Sequence, residues 1–146
     1  MGLTDDLGDG PVAIDTAVVI YFIEEDPRYL PVIDPLFRQT AAGTRTLVTS
    51  ALTLLEVLVV PYRKGHRALA DRYEAVLTRS RGFRLVDVTR DQLRAAARLR
   101  AVSGMKIPDA LQMAAALSSG CTTLITNDRR LPSLPGLRVI QLASYL

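Results

Sequence analysis

The chain contains one histidine, one cysteine and only two lysines. Each scarcity removes a chemistry. With His66 as the sole imidazole, a two-histidine acid–base ribonuclease is impossible within one chain. A Ser-His-Asp triad would depend on that same residue, and no Gly-x-Ser-x-Gly elbow accompanies it. A lone Cys121 excludes an internal disulfide and a thiolate zinc cluster. Its neighbours are those of a small core residue beside a strand. Neither Lys64 nor Lys106 stands in a Gly-Lys-Ser/Thr sequence, so there is no P-loop. No apolar run is long enough to cross a membrane. Met1 to Gly10 carries Asp5, Asp6 and Asp9 and no basic residue, the reverse of a secretory signal, so a cytoplasmic protein is expected.

What remains is an ordinary globular composition, 49% hydrophobic and 23% charged over 146 residues, suited to one domain with a sizeable core. The net charge is +3, and the basic side is almost all arginine. Arginine suits phosphate contact through its planar fork. Arginine and alanine together also follow from a GC-rich coding sequence, so charge alone does not identify a nucleic-acid partner.

Residues 1–10 read as a loose lead. Gly10-Pro11 then turns the chain into a first strand, Val12 to Ile14, followed by Asp15 and a helix from Thr16 to Glu24. Val32, Ile33, Leu36 and Phe37 share one face of a second helix, Tyr29 to Thr40. A strand over Thr46–Thr49 leads to Ser50, an N-cap for a helix over Ala51–Val60, which Pro61 interrupts. Arg63-Lys64-Gly65 reads as a turn, and His66 to Ser80 as a helix with a basic face. A third strand spans Phe83 to Val86. Thr89 with Gln92 resembles a capping box for a helix over Asp91–Val102. Pro108 fits the first turn of a helix reaching Ser118. Strands over Thr122–Thr126 and Leu137–Gln141 complete the chain. Strands alternating with helices predict one α/β domain, a mainly parallel sheet with helices on both faces.

Four acids stand in apolar company: Asp15 after the first strand, Glu56 alone in Ala51–Val60, Asp109 in Ile107-Pro108-Asp109-Ala110, and Asp128 after the fourth strand. Three have plainer accounts. Asp15 can cap its helix, Asp109 can complement a helix dipole, and Asp128 can belong to an Asx turn. Glu56 resists such an account, because no Lys or Arg lies within four residues of it. Read together, the acids converge on one sheet edge. Clustered carboxylates repel unless a cation neutralises them, and oxygen-only ligands suit Mg²⁺ or Mn²⁺. Hydrolysis by metal and carboxylates is the chemistry left open.

These motifs, Ile14-Asp15-Thr16, Glu56 in its Leu-rich helix, Ile107-Pro108-Asp109-Ala110 and Thr126-Asn127-Asp128, resemble the ordered acidic motifs of the PIN domain. The resemblance runs from Val12 to Ile140 and is closest to VapC-like toxins of bacterial toxin–antitoxin pairs. It implies an α/β/α sandwich with a five-stranded sheet in order 3-2-1-4-5. It also implies a Mg²⁺- or Mn²⁺-dependent endoribonuclease, a homodimer, inhibited by a small antitoxin. Asp15 and Asp109 would be the surest metal ligands, with Glu56 and Asp128 beside them. Thr16, Thr126 and Asn127 match polar residues that support them. Water would attack an RNA phosphodiester and leave a 5′-phosphate.

Arg129, Arg130 and the Arg63, Lys64, His66, Arg67 cluster are candidates for backbone contact without sequence reading, or form a solvated face. Asp87 ends an edge strand in this order and reads as a loop residue. Tyr21, Phe22, Tyr29, Tyr62 and Tyr73 read as helix packing, or as part of a groove for an amphipathic antitoxin segment. Two rivals stay open. One is a PIN-like interaction module without activity. The other is an aspartyl-phosphate phosphotransferase or receiver-like domain, although Ala17 removes the second acid of Asp-x-Asp and no Lys follows a late strand.

Overall fold

The computed structural model describes residues 2–146. Five strands form one parallel sheet: β1 (Val12–Ile14), β2 (Leu47–Ser50), β3 (Phe83–Val86), β4 (Thr123–Thr126) and β5 (Arg138–Gln141). Their order is β3-β2-β1-β4-β5, as the resemblance implied. A receiver-like domain has a different order, 2-1-3-4-5.

Parallel neighbours need crossovers, and three of the four here are helical. Helices α1 (Thr16–Ile23) and α2 (Leu30–Ala41) join β1 to β2. Helices α3 (Leu52–Lys64) and α4 (Arg67–Arg79) join β2 to β3, and α5 (Arg90–Ser103) and α6 (Ile107–Ser118) join β3 to β4. The chain steps outward from β1 to β3, then back across to β4. Right-handed crossovers therefore put the first four helices on one face and the last two on the other.

The side-chain alternation of the strands follows this division. Val12, Ile14, Leu47 and Ile125 pack with α1 to α4, whereas Ala13, Val48 and Leu124 pack with Met113 and Ala116 of α6. Each fully buried Leu or Ile contributes roughly 1.5–3 kcal/mol. Every residue of α6 from Ala110 to Ala116 is buried. Its short alanine side chains let the helix lie close against the sheet, and this fixes Asp109 in its first turn.

Three expectations are corrected. The lead is not loose: Leu3–Asp6 forms a turn of 3₁₀ helix, and Leu3 and Leu7 join the core, drawn in by apolar burial. Pro61 does not end α3, which continues to Lys64. A proline inside a helix costs about 3 kcal/mol through its missing N–H and ring clash. Here Pro61 lies on the buried face between Val57, Leu58 and α4, and that packing carries the helix on. The turn comes at Gly65, whose φ of 69° suits a residue without Cβ, and its N–H donates to the Tyr62 carbonyl. Third, the Thr89 cap forms, accepting from Gln92 N at 3.2 Å. The Gln92 amide does not complete the box but donates to Ser118 Oγ at 2.8 Å, tying α5 to α6.

Candidate active site

A strand order that reverses at β1 and β4 opens a crevice beyond their carboxyl ends. Asp15 follows β1 and Asp128 follows β4. Helix α6 runs back toward the start of β4, so its first turn lies at this same edge. Helix α3 leaves the edge after β2, which puts Glu56 one turn in. The topology thus gathers acids that lie up to 113 residues apart in sequence.

Asp15 is half-buried and tightly held. Thr126 Oγ1 donates to its Oδ2, and Val18 N donates to Oδ1 at 3.3 Å, so it does cap α1. Burial lifts its carboxyl pKa from the ordinary 3.8 to about 6. Hydrogen bonds from Thr126, Val18 and Ala17 pull it down, and the charge of Asp109 pushes it further up. The Asp109 carboxyl is also raised, by desolvation and then by the charges of Asp128 and Glu56, against the opposing pull of Arg130 and Lys106. Through Asp109, these like-charge effects put the four acids in one electrostatic neighbourhood.

Glu56 is half-buried, and Oε1 accepts from Thr16 Oγ1 at 2.7 Å. Among the described residues it has no ion-pair partner. That removes the one structural role that would explain a lone carboxylate in an apolar helix. Asp128 differs. Arg130 donates to it with its backbone N at 2.9 Å, Nε at 3.0 Å and Nη2 at 3.0 Å. The Arg130 guanidinium holds this carboxyl below the usual range.

As placed, no three carboxylates among the described residues stand close enough to close on one ion. Glu56 is drawn to Thr16 and Asp128 to Arg130, and a cation would compete with both bonds. The donor set nevertheless fits a hard divalent ion: every ligand is oxygen, and two of the acids are raised by burial and like charge. Asp15 and Asp109 would be the central ligands, with Glu56 and Asp128 to either side.

The supporting residues divide. Thr16 and Thr126 touch the acids directly. Asn127 does not: its Oδ1 accepts from Ala143 N at 3.0 Å and its Nδ2 donates to Tyr21 Oη at 3.3 Å, so it braces the loop against α1 and the chain's last turn. Lys64 and His66 line a cleft of about 270 Å³ that also contains Glu56. Arg63 and Arg67 are exposed on the same segment, and Arg129 is exposed beside Asp128. Asp87 is exposed beyond the edge strand β3, away from the acids.

Two residues escaped the sequence reading. Lys106, the residue before α6, lines a depression of about 320 Å³ with Asp109 and Arg130 and acts on both Asp109 and Asp128. Its place two residues before Pro108 was the available signal. Gln112, three residues after Asp109 on α6, is buried and bonded to β2 and α3. A polar amide in an Ala-rich run was its only mark.

The aromatic set is largely packing. Tyr21 stacks on Tyr29 with centroids 4.4 Å apart, and Phe22 stacks on Phe37 at 3.8 Å. Tyr73 is buried and donates to Glu24. Tyr62 alone is exposed, at 67%.

Several solved structures share this fold. One is a toxin–antitoxin complex from Klebsiella pneumoniae, similar at 22% identity with a TM-score of 0.65, covering 90% of this chain and 97% of that one. VapBC2 from Rickettsia felis, solved bound to a DNA fragment from its promoter, is similar at 18% identity with a TM-score of 0.68, covering 89% and 97%. The sarcin–ricin-loop-cleaving toxin VapC20 of Mycobacterium tuberculosis is similar at 17% identity with a TM-score of 0.63, covering 77% and 86%. No curated protein sequence matches the chain. The model of the PIN domain family matches residues 12–137, a span that holds four of the five strands and the four candidate acids, and the chain belongs to that family.

Proposed function

We propose that the protein is a Mg²⁺- or Mn²⁺-dependent endoribonuclease and the toxin of a toxin–antitoxin pair. The observation that carries this reading is the pair Asp15 and Asp109 at the sheet's switch point, two carboxylates raised by desolvation and by like charge, Asp15 by Asp109 and Asp109 by Asp128 and Glu56. A fold kept stable with such a pair gains nothing from it unless a cation or substrate uses it. A divalent ion there would activate water and stabilise charge on a phosphodiester.

The protein's own residues do the rest. Asp15, fixed by Thr126 and by the α1 amides, offers a carboxylate whose direction is set before anything binds. Glu56, on α3, is fixed by Thr16, the residue that follows Asp15. Lys106 and Arg130 flank Asp109 with positive charge suited to the phosphate backbone. Arg129, Arg63, Lys64 and Arg67 extend that surface. Attack by water with loss of the 3′ oxygen leaves a 5′-phosphate.

The solved complexes of similar fold motivate the partner: a small cognate antitoxin, with the toxin a cytoplasmic homodimer. Among the described residues no helix is long and apolar enough to cross a membrane. The test is cleavage of RNA in Mg²⁺ or Mn²⁺, stopped by a chelator. Products ending in a 2′,3′-cyclic phosphate would overturn the mechanism, because they require attack by the RNA's own 2′-hydroxyl. A second reading, an inactive interaction module, draws support from the engagement of Asp128 by Arg130. Calorimetry with Mn²⁺ separates the two, since the module binds none.

A further inference from the structure

Beneath Glu56 lies a buried polar cluster that the reaction itself does not use. Gln112 Nε2 donates to Thr53 Oγ1 at 2.7 Å, and Gln112 Oε1 accepts from Ser50 N at 3.1 Å and Thr49 Oγ1 at 3.2 Å. Thr53 Oγ1 lies 3.0 Å from both Thr49 Oγ1 and Thr16 Oγ1. Thr16 Oγ1 in turn reaches Glu56 Oε1 at 2.7 Å. Thr49, Ser50, Thr53 and Gln112 are all buried, at 1%, 2%, 0% and 5% exposure, so water does not substitute for these partners.

Counting protons fixes the direction of the bonds that run from Gln112 to Glu56. An ionised Glu56 only accepts, so the single Thr16 hydroxyl proton goes to it. Thr16 must then accept from Thr53, whose one proton is thereby used. The Ser50 amide can only donate, which makes the Gln112 atom facing it the oxygen and leaves the amide nitrogen for Thr53. The Thr49 proton goes to Gln112 Oε1 or to Thr53. A one-way chain results, Gln112 to Thr53 to Thr16 to Glu56, with every donor aimed toward the carboxylate. Bonds arranged head to tail polarise one another in a low-dielectric interior.

We propose that Gln112 and Thr53 are positioning residues for Glu56, working through Thr16. The proposal rests on the reading of Glu56 as a site acid. Gln112 stands one turn after Asp109 on α6, and Thr53 stands one turn before Glu56 on α3. Their bond therefore fixes the helix carrying one acid against the helix carrying another. It also fixes both to the end of β2 through Ser50 and Thr49. Small errors in the placement of such ligands weaken metal binding, and partners that orient a ligand typically affect affinity by about 10–100-fold.

The test uses the full chain and four variants: Thr53→Val, Thr53→Ser, Gln112→Leu and Glu56→Gln. In protein with ¹³C-labelled glutamate, the Glu56 carboxyl resonance is assigned by its loss in Glu56→Gln. Thr53→Val and Gln112→Leu should shift that resonance, and Thr53→Ser, which keeps the hydroxyl, should leave it in place. By calorimetry, Thr53→Val should weaken Mn²⁺ binding about tenfold, and Thr53→Ser should bind as the parent does. In a Glu56→Gln background, Thr53→Val should cause no further loss, because the group being oriented is gone. A Glu56 resonance unmoved by Thr53→Val in a folded protein would overturn the proposal. So would an equal further loss of Mn²⁺ affinity in the Glu56→Gln background. If the parent protein neither binds Mn²⁺ nor cuts RNA while the resonance still responds, the nuclease reading fails and the positioning chain stands.

Discussion

Asp15 and Asp128 occupy matching places, each just beyond the carboxyl end of a neighbouring parallel strand, yet their protons are held in opposite ways. Asp15 is desolvated, bonded to a hydroxyl and backbone amides, and pushed up to about 6. Asp128 is pinned by an exposed arginine two residues away and held low. The difference separates two kinds of acid. Asp128 has a local account, an Asx-type turn closed by its own arginine, and needs no function to explain it. Asp15 has only part of one. Capping α1 would be served equally by asparagine or serine without a desolvated charge. The unfavourable half of Asp15 points to something outside the chain.

The sharpest way to break this comparison is Asp15→Asn. The shape survives and the single amide oxygen can keep the cap on Val18 N, while the charge and the acceptor for Thr126 Oγ1 go. RNA cleavage should fall by orders of magnitude, measured on single turnovers. Metal-free stability should rise at pH 7. A carboxyl moved from 3.8 to about 6 on folding disfavours the folded state above pH 6 by on the order of 2–3 kcal/mol. The sign follows from the proton count: between about pH 4 and 6 the folded state binds the proton more tightly, so Asp15 destabilises least in acid and most above its folded pKa. Urea unfolding at pH 5 and pH 7 should therefore show a wild-type-to-mutant gap that is larger at pH 7. A mutant less stable than wild type at pH 7 would make Asp15 an ordinary structural residue. Asp109→Asn should show the same signs to a smaller degree, its carboxyl also being raised.

Glu56→Gln comes next. Gln keeps an oxygen to accept from Thr16, so metal-free melting should stay level or rise slightly. Cleavage should still drop by orders of magnitude, and Mg²⁺ should raise the melting temperature of wild type more than that of the mutant. Loss of a buried ion pair typically costs about 3–5 kcal/mol, and a metal-free loss of that size would return Glu56 to a structural role.

Legibility in the sequence tracks how local the signal is. The four acids are legible because each stands out locally, Asp15, Asp109 and Asp128 at element boundaries and Glu56 as a lone charge in an apolar helix, whereas the strand order came only with the family resemblance. Pro61 was misread because local propensity favours a break, and only the packing of α3 on α4, which no short window contains, overrides it. The lead was misread for the same reason: Leu3 and Leu7 are two apolar residues among aspartates until a core exists to receive them. Gln112 was invisible because its partners, Ser50 and Thr53, lie about sixty positions away. The partners of Asn127, Tyr21 and Ala143, are likewise distant in sequence, and no local motif announces them.

Asp128→Asn should have a milder effect than either. Its charge contributes to the cluster, so cleavage should weaken. Its pair with Arg130 is solvent-exposed, so the melting temperature should hardly move. A loss of activity equal to that of Asp15→Asn would erase the distinction between the two acids.

The smallest effect concerns the cations around that pair. Each lost phosphate contact should reduce the slope of log affinity against log salt by about 0.7 for single-stranded RNA. Arg129 is exposed with no carboxylate partner among the described residues, whereas the Arg130 guanidinium is already spent on Asp128. Binding is best measured in the Asp15→Asn background, where RNA survives the titration. Arg129→Ala should then flatten the salt slope by nearly a full contact. Arg130→Ala should flatten it by less, since removing this arginine also frees the Asp128 charge to repel the backbone. That repulsion weakens binding at low salt without changing how many phosphates are neutralised. Lys106→Ala supplies the control, because Lys106 flanks Asp109 but donates no hydrogen bond to Asp128. Equal flattening by Arg129→Ala and Arg130→Ala would mean that Arg130 leaves Asp128 when RNA arrives. The local account of Asp128 would then fail, and the fourth acid would join Asp15 as a residue freed for use at the site.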